Sequence, residues 1–472
     1  MISLRDLLPL LDGARRVGAL PPEIRRVHTD SRSLQAGDLF VALRGERFDA
    51  HDFLVQARQA GAAAVLAERG LAETGLPGVE VPDSRLALGQ LARLWRQSCE
   101  LPLVAVTGSN GKTTVTQMIA TILRQAAGDA AHATQGNLNN DIGVPLTLLR
   151  LQPSHRFSVI ELGMNHPGEI AYLSGLVQPT VALVNNAQRE HQEFMETVEA
   201  VARENGEVFR FLRPGGVAVF PSDDAAHTPI WRTLAGEHPV MTFSESDPQS
   251  DVRLQVADWR DGAWDISWQS PAGDGSARLH IAGRHNLRNA MAAVACALAA
   301  GVPPEAIARG LSAFAPVGGR SRAISLGIAG RRVMLVDDTY NANPDSMVAA
   351  VDVLAELPAP RLLVLGDMGE VGEQGLDFHL EVLRHAHARG LCAVHCAGDW
   401  MRQAVDVLKS TGEPVPQHWS DVDALAAAVA GQVSGAGGPA SVLVKGSRFM
   451  RMERVVKALQ AVQEQEGTHH AA

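Results

Sequence analysis

The chain has 472 residues, with 42 Lys and Arg against 52 Asp and Glu, a formal net charge of −10 and 46% hydrophobic residues. That length predicts about three domains that bury their own cores without metal or disulfide staples, and 4 cysteines are too few for a disulfide scaffold. The acidic balance excludes a general nucleic-acid binder, and the lack of any run of about 20 apolar residues excludes membrane insertion.

The N-terminus, Met1-Ile2-Ser3-Leu4-Arg5-Asp6, carries charge in its first turn and reads as neither signal peptide nor anchor, so a cytoplasmic enzyme is expected. The first block, residues 1–99, is a small mixed α/β unit. In it Gly37-Asp38 turns into a strand at 39–43, a helix ends at 57–61 and a short strand follows at 62–67. Residues 86–97 have helical periodicity, with Leu86, Leu88, Leu91 and Leu94 predicted on one apolar face. The second block, 100–320, alternates helices with continuous apolar strands at 103–106, 157–160, 181–184 and 216–220, the pattern of a parallel sheet covered on both faces. The third block, 321–472, repeats it with strands at 332–336, 362–365 and 441–444, helices at 346–357 and 380–388, and a loop at 431–438. Within Cys392-Ala393-Val394-His395-Cys396 both cysteines read as small buried residues on a strand, because no second Cys/His cluster pairs with them.

The sharpest local signal is Val106-Thr107-Gly108-Ser109-Asn110-Gly111-Lys112-Thr113-Thr114, between a strand and a helix predicted over 115–124. Glycines let the backbone turn its N–H groups inward, and the helix N-terminus adds its positive end. Lys112 supplies a mobile cation for outer phosphates, and a Thr113 or Thr114 hydroxyl suits Mg²⁺. Only two residues separate Gly108 from Gly111, where the standard phosphate loop has four. A nucleoside triphosphate site is predicted, and the loop alone leaves motor, switch, kinase and ligase open.

Here, and at later motifs, the sequence resembles the Mur ligases, ATP-dependent amide-forming enzymes of cell-wall peptide synthesis. The resemblance runs over nearly the whole chain. It is carried by Thr29-Asp30-Ser31-Arg32, residues 37–45, Phe48-Asp49-Ala50-His51-Asp52-Phe53, Thr134-Gln135-Gly136-Asn137-Leu138-Asn139-Asn140, Glu161-Leu162-Gly163-Met164-Asn165 and Gly283-Arg284-His285-Asn286. Its strongest marks are residues 337–346, Leu365-Gly366-Asp367-Met368-Gly369-Glu370 and Val444-Lys445-Gly446-Ser447-Arg448. It implies a UDP-sugar domain over 1–99, a central P-loop ATP-binding domain over 100–320 and a C-terminal Rossmann-like ligase domain over 321–472. The implied activity joins D-alanyl-D-alanine to UDP-N-acetylmuramoyl-tripeptide with ATP and Mg²⁺, in a monomer.

Carried over residue by residue, the resemblance gives Lys112, Glu161 and His191 catalytic roles, with Thr113, Glu161 and His191 toward the metal. Nucleotide binding falls to Thr107, Gly108, Ser109, Asn110, Gly111, Lys112, Thr113, Thr114, Asn286, Asn289, Arg320, Asp338, Tyr340 and Asn341. Substrate binding falls to Ser31, Arg32, Gly45, His51, Asn137, Asn343, Lys445 and Arg448. The residues themselves agree in part. Glu161 ends a strand beside the loop strand, where α/β sheets place function and a carboxylate suits a hard cation. Asn286 and Asn289 share a helix face, although Asn286 also fits a helix cap. Lys445 and Arg448 read either as solvated charges or as ligand contacts after the last strand.

One departure stands out. Many relatives carry a lysine that becomes carbamylated and places a carboxylate near Mg²⁺; local alignment puts Asn205 there, and an amide cannot form a carbamate. Asn205 bonding a metal-bound water, or Glu204 substituting, are the two expectations. Competing functions are a ligase adding a diamino acid to the UDP-sugar dipeptide, whose Asp-Asn-Pro-Arg motif is not found, a folate–glutamate ligase, which lacks a UDP-sugar block, and a non-catalytic nucleotide switch.

Overall fold

The computed structural model describes residues 4–190 and 192–469, and His191 lies outside them. Among the described residues the chain forms three sheets in sequence order. The first runs Arg15–Val17, Gly78–Glu80, Ala64–Ala67, Leu39–Val41, Val27–His28, with only Arg15–Val17 antiparallel to its neighbour. Its middle strands are buried along their whole length, which is why they read as continuous apolar runs. Helix Ser84–Gln97 starts at Asp83, whose Oδ1 accepts from Arg85 N at 2.8 Å and Leu86 N at 2.9 Å. Leu88 and Leu91 are fully buried, but Leu86 is exposed, so the apolar face is narrower than the leucine spacing predicts.

The central sheet has nine strands. Parallel strands Val217–Pro221, Val181–Val184, Leu103–Thr107, Phe157–Glu161 and Ala131–Ala133 lie in that order, with Val240–Ser244 on the outer side of the first. Beyond them an antiparallel extension, Val252–Arg260, Ala263–Gln269 and Gly275–Leu279, departs from the all-parallel expectation. These strands alternate buried and open residues, with Trp264, Ile266 and Trp268 inward, so they carry no continuous apolar signal.

The third sheet runs Arg322–Ile328, Arg331–Asp338, Ser441–Lys445, Arg361–Leu365, Val394–Ala397, Gln417–Trp419, parallel except for its first strand. Cys396 is buried in its strand as expected, whereas Cys392 precedes the strand and is exposed. The predicted loop at 431–438 is half helix: Val422–Ser434 runs into it, and Arg331 closes the end by donating to the carbonyls of Val433, Gly435 and Gly438 at 2.8, 3.0 and 2.6 Å. No helix of the described residues is long and apolar enough to cross a membrane.

Arg96 joins the first unit to the second. Its side chain is fully buried at the end of helix Ser84–Gln97 and donates to the carbonyls of Val177 (2.9 Å), Cys99 (2.5 Å) and Gln178 (3.3 Å). Burial, with Arg213 nearby, pulls its guanidinium pKa down to about 10, yet it remains charged at neutral pH. Replacing Arg96 by Ala orphans these carbonyls beside a cavity, and a loss of roughly 2–3 kcal/mol in stability is expected. Urea unfolding of Arg96→Ala measures it; an unchanged midpoint would show that the strut does not hold the two units together.

Candidate active site

The carboxyl end of the central sheet forms the floor of a cavity of about 1210 Å³, roofed by the third unit. Strand Leu103–Thr107 leads through residues 108–111 into helix Lys112–Ala127. Gly108 has φ +129°, and a Cβ there would lie 3.0 Å from the backbone nitrogens of Asn185 and Asn186. Gly111 has φ +80°, and its Cβ would fall 2.6 Å from Asn289 Oδ1. Both positions therefore require glycine.

Side-chain amides brace this short loop. Asn185 Nδ2 donates to Asn110 O (2.8 Å) and Asn289 Oδ1 (2.9 Å), and Asn289 Nδ2 donates to Asn286 Oδ1 at 2.8 Å. Asn186 donates to Asn110 O at 2.9 Å and accepts from Asn110 N at 2.8 Å. Gln188 Oε1 accepts from Asn110 Nδ2 at 2.7 Å, and Gln188 N donates to Ser109 Oγ at 2.9 Å. Asn286 does not cap its helix: His285–Ala299 begins before it, Arg284 stands at the cap, and Asn286 Nδ2 donates to Ala282 O at 2.7 Å.

Lys112 folds back over the loop. Its Nζ donates to Gly108 O (2.6 Å), Ser109 O (3.0 Å) and Glu190 Oε1 (2.6 Å). Glu161, 2% exposed, ends the neighbouring strand. Its Oε1 accepts from Thr113 Oγ1 at 3.0 Å and Asn139 Nδ2 at 2.7 Å, while its buried Oε2 has no hydrogen-bond partner among the described residues.

The third unit supplies the opposite wall. Asp338 and Lys445 end adjacent parallel strands, and Lys445 Nζ donates to Asp338 Oδ2 (2.7 Å) and Asn341 O (2.9 Å). Burial opposes ionisation of Asp338, but the Lys445 charge and hydrogen bond outweigh it and hold the carboxyl below its usual range. Lys445 is thus neither solvated nor open to a ligand without giving up Asp338, whereas the Arg448 side chain is 66% exposed at the cavity. The Tyr340 ring carries the Arg320 guanidinium 4.0 Å from its centroid and that of Arg448 at 5.8 Å. Asn343 caps helix Pro344–Glu356 through a capping box with Ser346, and its Nδ2 also donates to Asn110 Oδ1 at 2.9 Å. The third unit so touches the phosphate loop itself.

Arg189, beyond strand Val181–Val184, makes a second contact with the third unit. Its guanidinium donates to Asp345 Oδ1 from Nε (3.0 Å) and Nη2 (2.7 Å), and to Glu381 from Nη1 (2.7 Å) and Nη2 (2.9 Å). It also lies 5.4 Å from the Phe378 ring centroid. Glu381 first, then Asp345, raises its pKa above the ordinary arginine value.

Comparison with known proteins matches the Mur ligase family catalytic domain at residues 23–96, the Mur ligase middle domain at 106–297 and the Mur ligase glutamate ligase domain at 319–448. The UDP-N-acetylmuramoyl-tripeptide–D-alanyl-D-alanine ligase of Escherichia coli is 41% identical over 97% of this chain and 98% of its own. The enzyme of the same name from Bacillus subtilis is 33% identical over 92% and 93%. The chain belongs to the Mur ligase family. Among solved structures, MurF from Acinetobacter baumannii aligns with a TM-score of 0.85 at 36% identity over 93% of this chain and 94% of that one. The MurF ligase of Thermotoga maritima in complex with ADP aligns at 0.81 with 27% identity over 94% and 98%.

In this Mur ligase the Asn205 amide is bonded within the protein. It is fully buried in helix Val198–Gly206, and its Oδ1 accepts from the Thr107 hydroxyl and from Gly108 N (2.8 Å), while its Nδ2 donates to Val201 O (3.0 Å). Its amide is spent supporting the loop from below. Glu204 points elsewhere and accepts from Ile170 N at 3.0 Å, at the start of helix Glu169–Val177.

The cavity gathers Ser109, Asn110, Gly111, Lys112, Thr113, Thr114, Asn137, Glu161, Asn286, Asn289, Arg320, Asp338, Tyr340, Asn341, Asn343, Lys445 and Arg448. Thr107 and Gly108 lie behind this lining. From the first unit Glu46 and Arg85 reach it, but Ser31, Arg32, Gly45 and His51 do not. Arg32 instead chelates Asp30 at 2.9 and 2.7 Å and holds that carboxyl down to about 2. Ser31 Oγ donates to Gln56 Oε1 at 3.4 Å, and Gly45 N donates to Phe48 O at 2.9 Å. His51 is buried with Nδ1 on Asp49 (2.5 Å) and Nε2 accepting from Glu68 N (2.9 Å), so both ring nitrogens are committed. Asn139, inside a quoted motif, and Arg189 and Glu190, just before His191, were not singled out from the sequence as site residues.

Two outcomes follow from these contacts. Arg189→Ala removes four side-chain hydrogen bonds between units and should weaken the closed arrangement by roughly 1–2 kcal/mol, about tenfold in population. X-ray scattering should show a more extended particle, and a curve superimposable on the parent's would count against the latch. Asn205→Leu leaves the Gly108 N–H and Thr107 hydroxyl without their acceptor, so ADP should bind about tenfold more weakly; parent-like affinity in calorimetry would dismiss the supporting role.

Proposed function

We propose that this Mur ligase uses ATP to join the carboxylate of UDP-N-acetylmuramoyl-tripeptide to the amine of D-alanyl-D-alanine, releasing ADP and phosphate. Support comes from relatives of that name that align along nearly the full chain and from a phosphate loop facing a polar cavity. The observation that carries the ATP-dependent part is the loop lysine Lys112, folded onto the carbonyls of Gly108 and Ser109 next to the hydrogen bond from Thr113 to Glu161.

Mg²⁺ fits the donor set on chemical grounds. Thr113 and Glu161 offer hard oxygens, and a buried carboxylate oxygen with no partner is a costly arrangement that a cation relieves. Thr113 and Glu161 would hold the ion, with His191, outside the described residues, as the family's further ligand. When bound, it supplies charge neutralisation for the transferring phosphoryl group.

The chain's own residues do the rest. Lys112 swings from the loop carbonyls to the outer phosphates, and the N-terminus of helix Lys112–Ala127 orients them. The substrate carboxylate oxygen attacks the γ-phosphorus and ADP leaves. The dipeptide amine attacks the resulting acyl carbon, loses a proton, and the carbon–oxygen bond to phosphate breaks. An acyl phosphate hydrolyses when wet, so the third unit's contacts through Asn343 and Arg189 serve to exclude water. Arg320, Tyr340, Asn341 and Asp338 form the nucleotide's wall on that side, with Lys445 holding Asp338 in place, and Asn137, Asn343 and Arg448 are assigned to substrate. The enzyme works in the cytoplasm, where ATP is available.

Purified protein with Mg²⁺, ATP and UDP-N-acetylmuramoyl-tripeptide should release ADP only when D-alanyl-D-alanine is added, with a UDP-muramoyl-pentapeptide mass as product. ADP release indifferent to the dipeptide would point to another amine, and nucleotide binding without turnover would point to a switch. Lys112→Ala should lower turnover at least 100-fold with the fold retained by circular dichroism, and near-parent activity would refute its phosphate role.

A further inference from the structure

We propose that Arg85, Asp141 and Tyr172 hold the side chain of the tripeptide's third residue, and that they select a side chain ending in both an ammonium and a carboxylate over one ending in an ammonium alone. This rests on the tripeptide being the substrate and names the class of diamino acid at its end.

The three residues line the same cavity as the phosphate loop. They come from two units: Arg85 from helix Ser84–Gln97 of the first, Asp141 and Tyr172 from the second. Asp141 lies close to the reacting centre, since Asn139, two residues before it, donates to Glu161 Oε1 at 2.7 Å. Asn140 fixes the turn by accepting from Gly143 N at 2.9 Å. In the proposed reaction the third residue's α-carboxylate attacks the γ-phosphorus, and its α-amine is already in an amide bond. Its side chain is what remains for the protein to read, and it sits next to the reacting carboxylate.

Arg85 Nη1 stands 3.1 Å from Asp141 Oδ2, with side chains 48% and 35% exposed. Neither charged group has another ion-pair or hydrogen-bond partner among the described residues. The pair therefore leaves most of a guanidinium fork and a second carboxylate oxygen for a ligand. So open a pair is weakly held, and a ligand can enter it. A lone ammonium gains Asp141 but meets the Arg85 charge. A zwitterion gives its ammonium to Asp141 and its carboxylate to the guanidinium, so both charges are matched. Tyr172 supplies a further donor. Its hydroxyl makes no hydrogen bond among the described residues, and burial, then the charges of Asp141 and Asp83, push its pKa up, so it keeps its proton. A Cβ on Gly89 would collide with this hydroxyl, so a glycine in mid-helix, at a cost in helix stability, leaves the phenol its place.

Calorimetric titration of the full chain, saturated with ADP and Mg²⁺, tests this with UDP-N-acetylmuramoyl-tripeptide ending in meso-diaminopimelate or in L-lysine. The parent should bind the diaminopimelate form about tenfold more tightly. In Arg85→Met that advantage should vanish, with affinity for the lysine form within about twofold of the parent's or tighter. In Asp141→Asn both forms should weaken severalfold, because both carry the ammonium. ADP affinity, measured first in each variant, should match the parent's and so report an intact fold. Equal affinity of the parent for the two forms, or preference for lysine, overturns the proposal while leaving the substrate reading in place. Arg85→Met weakening both forms alike also overturns it, since the pair would then only tie two units together. If ADP binds and neither tripeptide does, the substrate reading fails and the selection with it.

Discussion

Lys112 sits where a strand end, a short glycine loop and a helix N-terminus meet, and its ammonium is balanced by two loop carbonyls and by Glu190. Around that charge the loop is braced almost wholly by neutral amides: Asn110, Asn185, Asn186, Gln188, Asn205, Asn286 and Asn289. The choice has a physical consequence. An amide donates and accepts without net charge, so it fixes backbone geometry while leaving the local field to Lys112, Glu161, Glu190 and the helix end. A brace of arginines and acids would compete with a phosphate for the same groups.

Arg96 and Arg189 both link units, and their surroundings differ in a way that suits different tasks. Arg96 is wholly buried and bonded to backbone carbonyls, which cannot move apart without local unfolding. Arg189 is a quarter exposed and bonded to carboxylates, of which Glu381 is 43% exposed. Water and salt can replace those partners at modest cost. The first contact is thus the costlier to break and the second the easier to exchange with water, which suits an enzyme that admits large substrates and then excludes water from a reactive intermediate.

Much of the fold was legible in the chain. Buried parallel strands such as 103–107, 181–184 and 441–445 are apolar throughout because both faces are covered, and they announce themselves. The antiparallel extension after residue 252 did not, because one of its faces is open and its residues alternate. Leu86 misled for a related reason: leucine spacing marks a helix but not which of its residues meets a neighbour. At the site, the loop and Glu161 were found from local pattern and the third-unit motifs from the family resemblance, and the cavity draws them together.

What the sequence determined by itself was everything that depends on neighbours along the chain: the loop's glycines, the lysine that follows them, the strand-end acid and the family these motifs mark. What only the tertiary structure decided was the use to which isolated polar residues are put. His51 and Lys445 looked like ligand contacts and are bonded within the protein, Asn205 looked like a metal-site residue and supports the loop, and Glu190 was passed over and faces Lys112. The reason is physical. A hydrogen bond or ion pair is set by a few ångströms of space between atoms that lie tens or hundreds of residues apart, and no local spacing encodes that distance.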